Sequence, residues 1–546
     1  MSARPPASPS AARVPATLSV APVLRVARLP HHPWHKPALS VLVAGLVPAL
    51  VLAAFDRLDL TACALSGSLV AVYCHAVPYR RRALLHLRLV AAWTAGVAVS
   101  LAAAASTTSV VAHILVVAVL AAVTKVVGEA STVGPPGPVL PIFVFSGLTF
   151  SPEQWGQVPG HLGLAAGSAL VGWLVVMAPG VVRPYGPERR AVAVALDAAA
   201  AYVDAPDAAT RGALVTAVRD AAHCLAAPGA HHPIRRALAA HLAAAERVLV
   251  DPAAVAAERL RADAVLIKGR NGELPPPAVP TAPPHVPAVT RAVAPTFATR
   301  HPVLAALRPG SRYTPYLLRV LVGCLAAASL SHLLGVGRPY WAVVTAAAIM
   351  LPDRTLTWQR APARAGGTAL GVLLFVALAP LAHRDPLVMV ALVLTLNAVV
   401  ELVIPRSYLL GQVLVTPMAL LITEFGHVHP AGELVSDRLL DTLLGVALGL
   451  VAAVIVPNPH LHRRVVHHVG ALEDAAALAL AAGPGSSPGQ AARLRRRIYD
   501  EHAALRQAAL HASGEWWSRR HDEAAATAAT ERAHEALVAL RQDASR

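Results

Sequence analysis

The chain has 546 residues, of which 55% are apolar and only 14% charged, and its mean hydropathy is +0.54. A soluble chain carries about a quarter charged residues, so an ordinary globular protein is excluded, the deficit falling in two blocks, roughly 38–178 and 313–456. The net charge of +16 is nearly all arginine and lies largely at the ends of apolar runs, which excludes a nucleic-acid partner and indicates positive-inside topology.

In chain order, residues 1–37 read as a disordered basic tail without a cleavable signal. A first transmembrane repeat follows over 38–182, with apolar runs near 38–55, 60–77, 84–105, 109–127, 138–151 and 158–178. Residues 183–273 form a cytoplasmic segment of alanine-rich amphipathic helices, and 274–312 a proline-rich, extended linker. The second repeat spans 313–457, with runs near 313–334, 338–352, 365–382, 386–404, 408–424 and 438–456. Residues 458–546 form a second cytoplasmic helical segment, broken near Gly483–Gly489. The two segments are expected to pack together or against a second subunit of a homo-oligomer.

A membrane helix needs about 20 apolar residues. The runs 138–151 and 338–352 are short and carry Pro138, Pro141, Pro339 and Pro352, so broken or re-entrant elements are expected there. Arginine excess alternates between loops in step with twelve spans, placing both termini in the cytoplasm of a cell-membrane protein. The predicted fold is all-α: two six-helix transmembrane repeats, each followed by a helical cytoplasmic segment. Such doubling is common in transporters, whose substrate path lies at the repeat interface.

The second block carries Arg338-Pro-Tyr-Trp-Ala-Val-Val-Thr345, then Leu351-Pro352, a basic loop, and Arg364-Ala-Gly-Gly-Thr-Ala-Leu-Gly371. Ser407-Tyr408 through Thr416-Pro417 and Arg438-Leu-Leu-Asp-Thr-Leu-Leu-Gly445 follow. This pattern resembles the fusaric acid resistance family of the aromatic acid exporter superfamily, specifically over about 313–457 and more weakly over 38–178. The resemblance implies a cytoplasmic-membrane efflux carrier for aromatic or other organic acids.

Glu129 and Glu401 stand at the cytoplasmic ends of equivalent runs, with Lys125 and Asn397 one turn earlier on the same faces. An ionisable group at membrane depth is a functional candidate, here for a proton site, set against a structural ion pair at the membrane edge. Arg88 and Arg364 reach furthest into their spans and are candidate contacts for an organic acid. Tyr340 and Trp341 are either interfacial anchors or a stacking surface for an aromatic substrate, with Thr345 and Thr416 on the same path. Asp437, Arg438 and Asp441 open the last span, as helix N-terminal charge or as an outer gate. The pairs Gly163/Gly167 and Gly445/Gly449 suit close helix crossing.

No phosphate loop, zinc-protease helix or Ser/His/Asp order is present, so neither an enzyme nor a cofactor or metal site is expected. The partners expected are the lipid bilayer and a small organic acid. The function read from the chain is a proton-coupled exporter of organic acids or toxic amphiphiles. A gated anion channel and a membrane-anchored scaffold are the alternatives.

Overall fold

The computed structural model describes residues 35–131, 137–226, 232–269, 274–276, 302–425, 428–456, 460–482, 487–513 and 523–540. The expected tail, up to residue 34, the core of the proline-rich linker and the Gly/Pro break at 483–486 lie outside the described residues. Every regular element among the described residues is helical.

The first membrane block consists of α1 (His35–Ala54), α2 (Thr61–Ser68, within the apolar stretch Leu58–Val72), α3 (Tyr79–Ser106), α4 (Val110–Ala130), α5 (Val139–Thr149) and α6 (Val158–Val182). Next come α7 (Gly186–Asp204), α8 (Ala208–Leu225), α9 (Pro233–Val248), α10 (Ala257–Lys268) and the short α11 (Pro302–Leu307). The second block is α12 (Thr314–Leu333), α13 (Tyr340–Ile349), α14 (Arg354–Ala382), α15 (Pro386–Val403), α16 (Tyr408–Thr423) and α17 (Ala431–Ile455). The chain closes with α18 (His460–Ala482), α19 (Pro488–Ser513) and α20 (Glu523–Ala539).

Nine of the described helices are long and apolar enough to cross a membrane. One of these, α18, buries Leu472, Ala475 and Ala479 in a core shared with Leu196, Leu238 and Leu505, so it belongs to the helical domain outside the bundle. The other eight leave bulky apolar side chains on the outside, Leu84 at 64%, Leu373 at 67% and Leu443 at 59% exposure among them. Water would penalise that surface and lipid does not. The chain is a multi-pass membrane protein in contact with the bilayer.

Both blocks run long, short, long, long, short, long. Shortness at α5 and α13 agrees with the proline-bearing runs; shortness at α2 and α16 corrects the reading of 60–77 and 408–424 as ordinary spans. At about 1.5 Å per residue, the 10 residues of α13 cover only half of a bilayer core. Turns and irregular backbone flank it. Met350 leaves the helix with ψ 119°, and its carbonyl accepts from the Tyr316 hydroxyl at 3.3 Å. Tyr73 is likewise extended (ψ 162°), with its hydroxyl on the Gly137 carbonyl at 2.6 Å. Irregular backbone at this depth survives because protein surrounds it.

Buried arginines show that the short elements still carry the chain across the bundle. Arg319, near the start of α12, donates to Pro352 O at 3.3 Å and Val456 O at 2.9 Å, so the start of α12, the segment after α13 and the end of α17 share one side. At the other side His383, after α14, meets Glu424, after α16, at 3.0 Å.

The same neighbours recur in the two blocks. Helices α3 and α14 each pack on the fifth and sixth helices of their block, and α2 and α13 each pack on the sixth. Between blocks the packing is crossed: α1 lies on α15, and α12 lies on α4. Arg82 at the start of α3 grips Val176 O at 3.2 Å, as Arg354 at the start of α14 grips Ala453 O at 2.8 Å and Val454 O at 3.1 Å. These guanidiniums satisfy carbonyls that a helix end leaves orphaned. Replacing Arg354 by Met is expected to cost about 2–4 kcal/mol, from one or two charged hydrogen bonds. A lowered thermal midpoint in detergent checks it.

Gly445 and Gly449 do permit a close crossing. A Cβ on Gly445 would lie 2.7 Å from Ala342 O, and one on Gly449 would lie 2.8 Å from the Ile349 side chain. Gly163 and Gly167 do not, since nothing lies within 4 Å of either. Gly445 and Gly449 stand eight and four residues before the gripped carbonyl of Ala453; the same offsets from Val176 reach Ser168 and Gly172, both buried. The true first-block contact uses Gly172 against Ala71 and Gly67 against Ala165.

Outside the bundle, the two polar segments fold as one domain with a common core. Helices α8 and α19 are joined by His223 to Asp500 at 2.9 Å, and α8 and α20 by Arg211 to Glu531 at 3.2 Å.

Candidate functional site

The polar residues inside the second block form two adjoining groups. The first surrounds Trp341. Its ring stacks on Phe143 of α5 at 5.6 Å, and Tyr340 tilts against Phe150 at 5.5 Å, so both blocks contribute to the aromatic wall. The Arg438 guanidinium sits over the Trp341 ring, 3.9 Å from its centre, a cation–π contact. Asp441, one turn along α17, accepts from the Ser331 hydroxyl at 2.5 Å. Thr345 lies on the face of α13 that meets Gly445.

The second group lies between α14 and α16. Gly367 and Gly371 let the helices close, since Cβ atoms there would stand 2.6 Å from Gln412 and from Thr416. The Arg364 Nη1 donates to Gln412 Oε1, and the Thr416 hydroxyl to Gln412 O at 2.9 Å. Arg360 lies over the Tyr408 ring at 4.2 Å. The charges of Arg364 and Arg438 act on one another, so the two groups adjoin.

In this region unpartnered donors outnumber the unpartnered carboxylate oxygen, Asp441 Oδ2. Arg438 is 1% exposed, yet its Nε and Nη1 have no protein partner, and neither has Arg364 Nε. Trp341 Nε1 and the Thr345 and Thr368 hydroxyls are equally unpartnered. Buried donors are almost always satisfied, and each exception needs a reason. Among the described residues no carboxylate makes an ion pair with either arginine: Asp437 is taken by Arg338 at 2.7 Å, and buried Asp441 acts on Arg438 by charge without a contact. Two buried cations beside an aromatic wall have the chemistry to attract an anion.

The other candidates stand elsewhere. Glu401 and Asn397 are buried on α15, and the Glu401 charge reaches Tyr73 of the first block. Glu401 makes no hydrogen bond or ion pair among the described residues. Lys125 is buried and Glu129 half-buried near the end of α4; they act on one another and on Arg360 and Arg464 without ion-pair contact. Arg88 is a correction: it is exposed on α3, whereas Arg364 and Arg438 are buried. Asp441 is another. Helix α17 starts at Ala431, seven residues before the predicted span, so Arg438 and Asp441 lie inside the helix and are buried, while Asp437 is partly exposed.

Gln412, Ser331, Phe143 and Phe150 were not singled out by sequence. Ordinary polar and aromatic residues in apolar runs carry no signal until the fold sets them beside charged ones.

Length, composition and the lipid-facing belt define a polytopic helical membrane protein. Within it, residues 325–452 match the family model described as fusaric acid resistance protein-like, which covers the latter part of α12, all of α13–α16 and most of α17. The chain is 33% identical over 149 residues to the uncharacterized membrane protein YvaC of Bacillus subtilis (strain 168), covering 26% of this chain and 23% of that protein. It is 29% identical over 146 residues to the uncharacterized protein slr1298 of Synechocystis sp. (strain ATCC 27184 / PCC 6803 / Kazusa), covering 26% of this chain and 19% of that protein. The matched region thus spans about a quarter or less of these relatives. No solved structure matches the chain.

Proposed function

We propose that the protein is a secondary transporter of the cytoplasmic membrane that exports organic acids, aromatic carboxylates foremost, without catalytic chemistry. The carrying observation is the pair of buried arginines, Arg364 and Arg438, with donors left over beside the Trp341–Phe143 stack. A carboxylate would take the spare N–H groups, and an aromatic ring would lie against the wall. The matching helix order and neighbours of the two blocks support an internal duplication, with the substrate path near the seam. The arginine-rich starts of α3 and α14 support a cytoplasmic position for the helical domain.

Glu401 is the coupling group in this reading. A lone buried carboxyl can carry a proton where a paired one is held ionised. Proteoliposomes loaded with labelled benzoate test both points. Acid-driven uphill flux should collapse with a protonophore, and Glu401→Gln should lose the uphill flux yet keep benzoate exchange. Voltage-dependent anion current that survives Glu401→Gln would make the protein a channel instead.

A further inference from the structure

A cavity is lined by none of the residues grouped around Arg364 and Arg438. It is a cleft of about 1050 Å³ where α3 and α6 leave the membrane block and meet the helical domain. One wall is apolar: Trp173, Leu174, Met177 and Val181. Leu174 is 58% exposed and Val181 88%, so this wall continues the lipid-facing surface. Trp173 is fixed by its Nε1 donating to Ala83 O at 3.1 Å. The opposite end is polar, with Arg80, Tyr185, Glu188, His232 and Arg235. The Tyr185 and His232 rings lie 4.7 Å apart.

The polar end is built rather than incidental. Glu188 is 1% exposed; Arg235 Nη2 donates to its Oε1 at 2.8 Å, and its Oε2 has no partner. Burial pushes the Glu188 carboxyl above the ordinary glutamate range in spite of Arg235. A second cation beside Oε2 would therefore be stabilised. Arg80 lines the cleft as an exposed cation. The cleft thus offers an apolar slot, an exposed cation and a buried carboxylate oxygen without a partner.

We propose that this cleft seats one phospholipid with an amine-bearing headgroup, phosphatidylethanolamine, from the leaflet facing the helical domain. The acyl chain lies along Leu174 and Met177, the phosphate meets Arg80, and the ammonium meets Glu188 Oε2. A headgroup with only a phosphate and hydroxyls, such as phosphatidylglycerol, would bring Glu188 no second cation beside Arg235. The inference goes beyond the transport reading and does not need it, since the site is separate from Arg364 and Arg438.

The full-length protein in mild detergent, offered equal phosphatidylethanolamine and phosphatidylglycerol of the same acyl chains, tests it by native mass spectrometry. One phosphatidylethanolamine adduct should survive delipidation with a preference of at least about fivefold. Arg80→Ala, which removes no recorded contact, should reduce the adduct several-fold, and Leu174→Trp, which fills the slot, should abolish it. Soluble phosphoethanolamine should fail to compete. Equal retention of the two lipids, adducts untouched by both variants, or full competition by the free headgroup would each overturn the proposal.

Discussion

Arg438→Gln is expected to cut benzoate flux by at least about tenfold while leaving the protein as stable as before, or more stable. The flux loss corresponds to a charged hydrogen bond to substrate, about 1.5–3 kcal/mol. The stability expectation separates this role from a structural one. A buried charge that holds the fold together has partners, and removing it leaves them orphaned. Arg438 contacts the Trp341 ring, but its Nε and Nη1 bond to nothing in the protein. Neutralising it removes a desolvated charge and its repulsion with Arg364, which offset the lost attraction to Asp441. Arg438→Lys should recover only part of the flux, because an ammonium cannot make a two-pronged contact with a carboxylate. Flux and thermal midpoint measured on the same preparations decide the matter. Unchanged flux in Arg438→Gln, or a lowered midpoint with proportionate flux loss, would remove Arg438 from the substrate path.

Gly67→Ala is expected to prevent accumulation of folded protein. A Cβ at Gly67 would stand 2.0 Å from Ala165 O and 3.0 Å from Ala169 N, both backbone atoms. Neither can rotate away, so α2 and α6 would have to separate along a contact that anchors a short, partly extended element. Disruption on this scale belongs with the largest single-site effects, above about 4 kcal/mol. Gly163→Ala is the matched control. It lies on the same α6, nothing lies within 4 Å, and Ala is the better helix former, so its thermal midpoint should hold or rise slightly. Fluorescence size-exclusion profiles of the two variants give the answer directly.

The membrane blocks, the helical segments behind them and the peculiarity of α5 and α13 were all legible in hydropathy and proline placement. What hydropathy could not see was where polar residues begin a membrane helix. It placed the start of the last span at Arg438, although α17 begins at Ala431, and so Arg438 and Asp441 looked like edge charges. The same blindness applies to α14, which begins at Arg354 rather than 365, leaving Arg364 ten residues inside. The family pattern located Tyr340, Trp341, Thr345, Arg364 and Thr416, because their spacing is particular. Arg88 had only its depth to recommend it, and depth does not say which face of a helix a side chain occupies. The first-block glycine pair failed for a related reason: small residues four apart recur by chance in an alanine-rich chain, and only the buried arginine anchors set the register.

The crossed packing of the blocks bears on how the protein is made. The ribosome delivers α1 through α6 long before α12 or α15 has been synthesised. Until then α1 and α4 each present to lipid a face destined for a helix of the other block. Maturation of the earlier half must therefore wait for the later one, and a nascent chain halted between them would offer membrane quality-control proteases two unfinished surfaces.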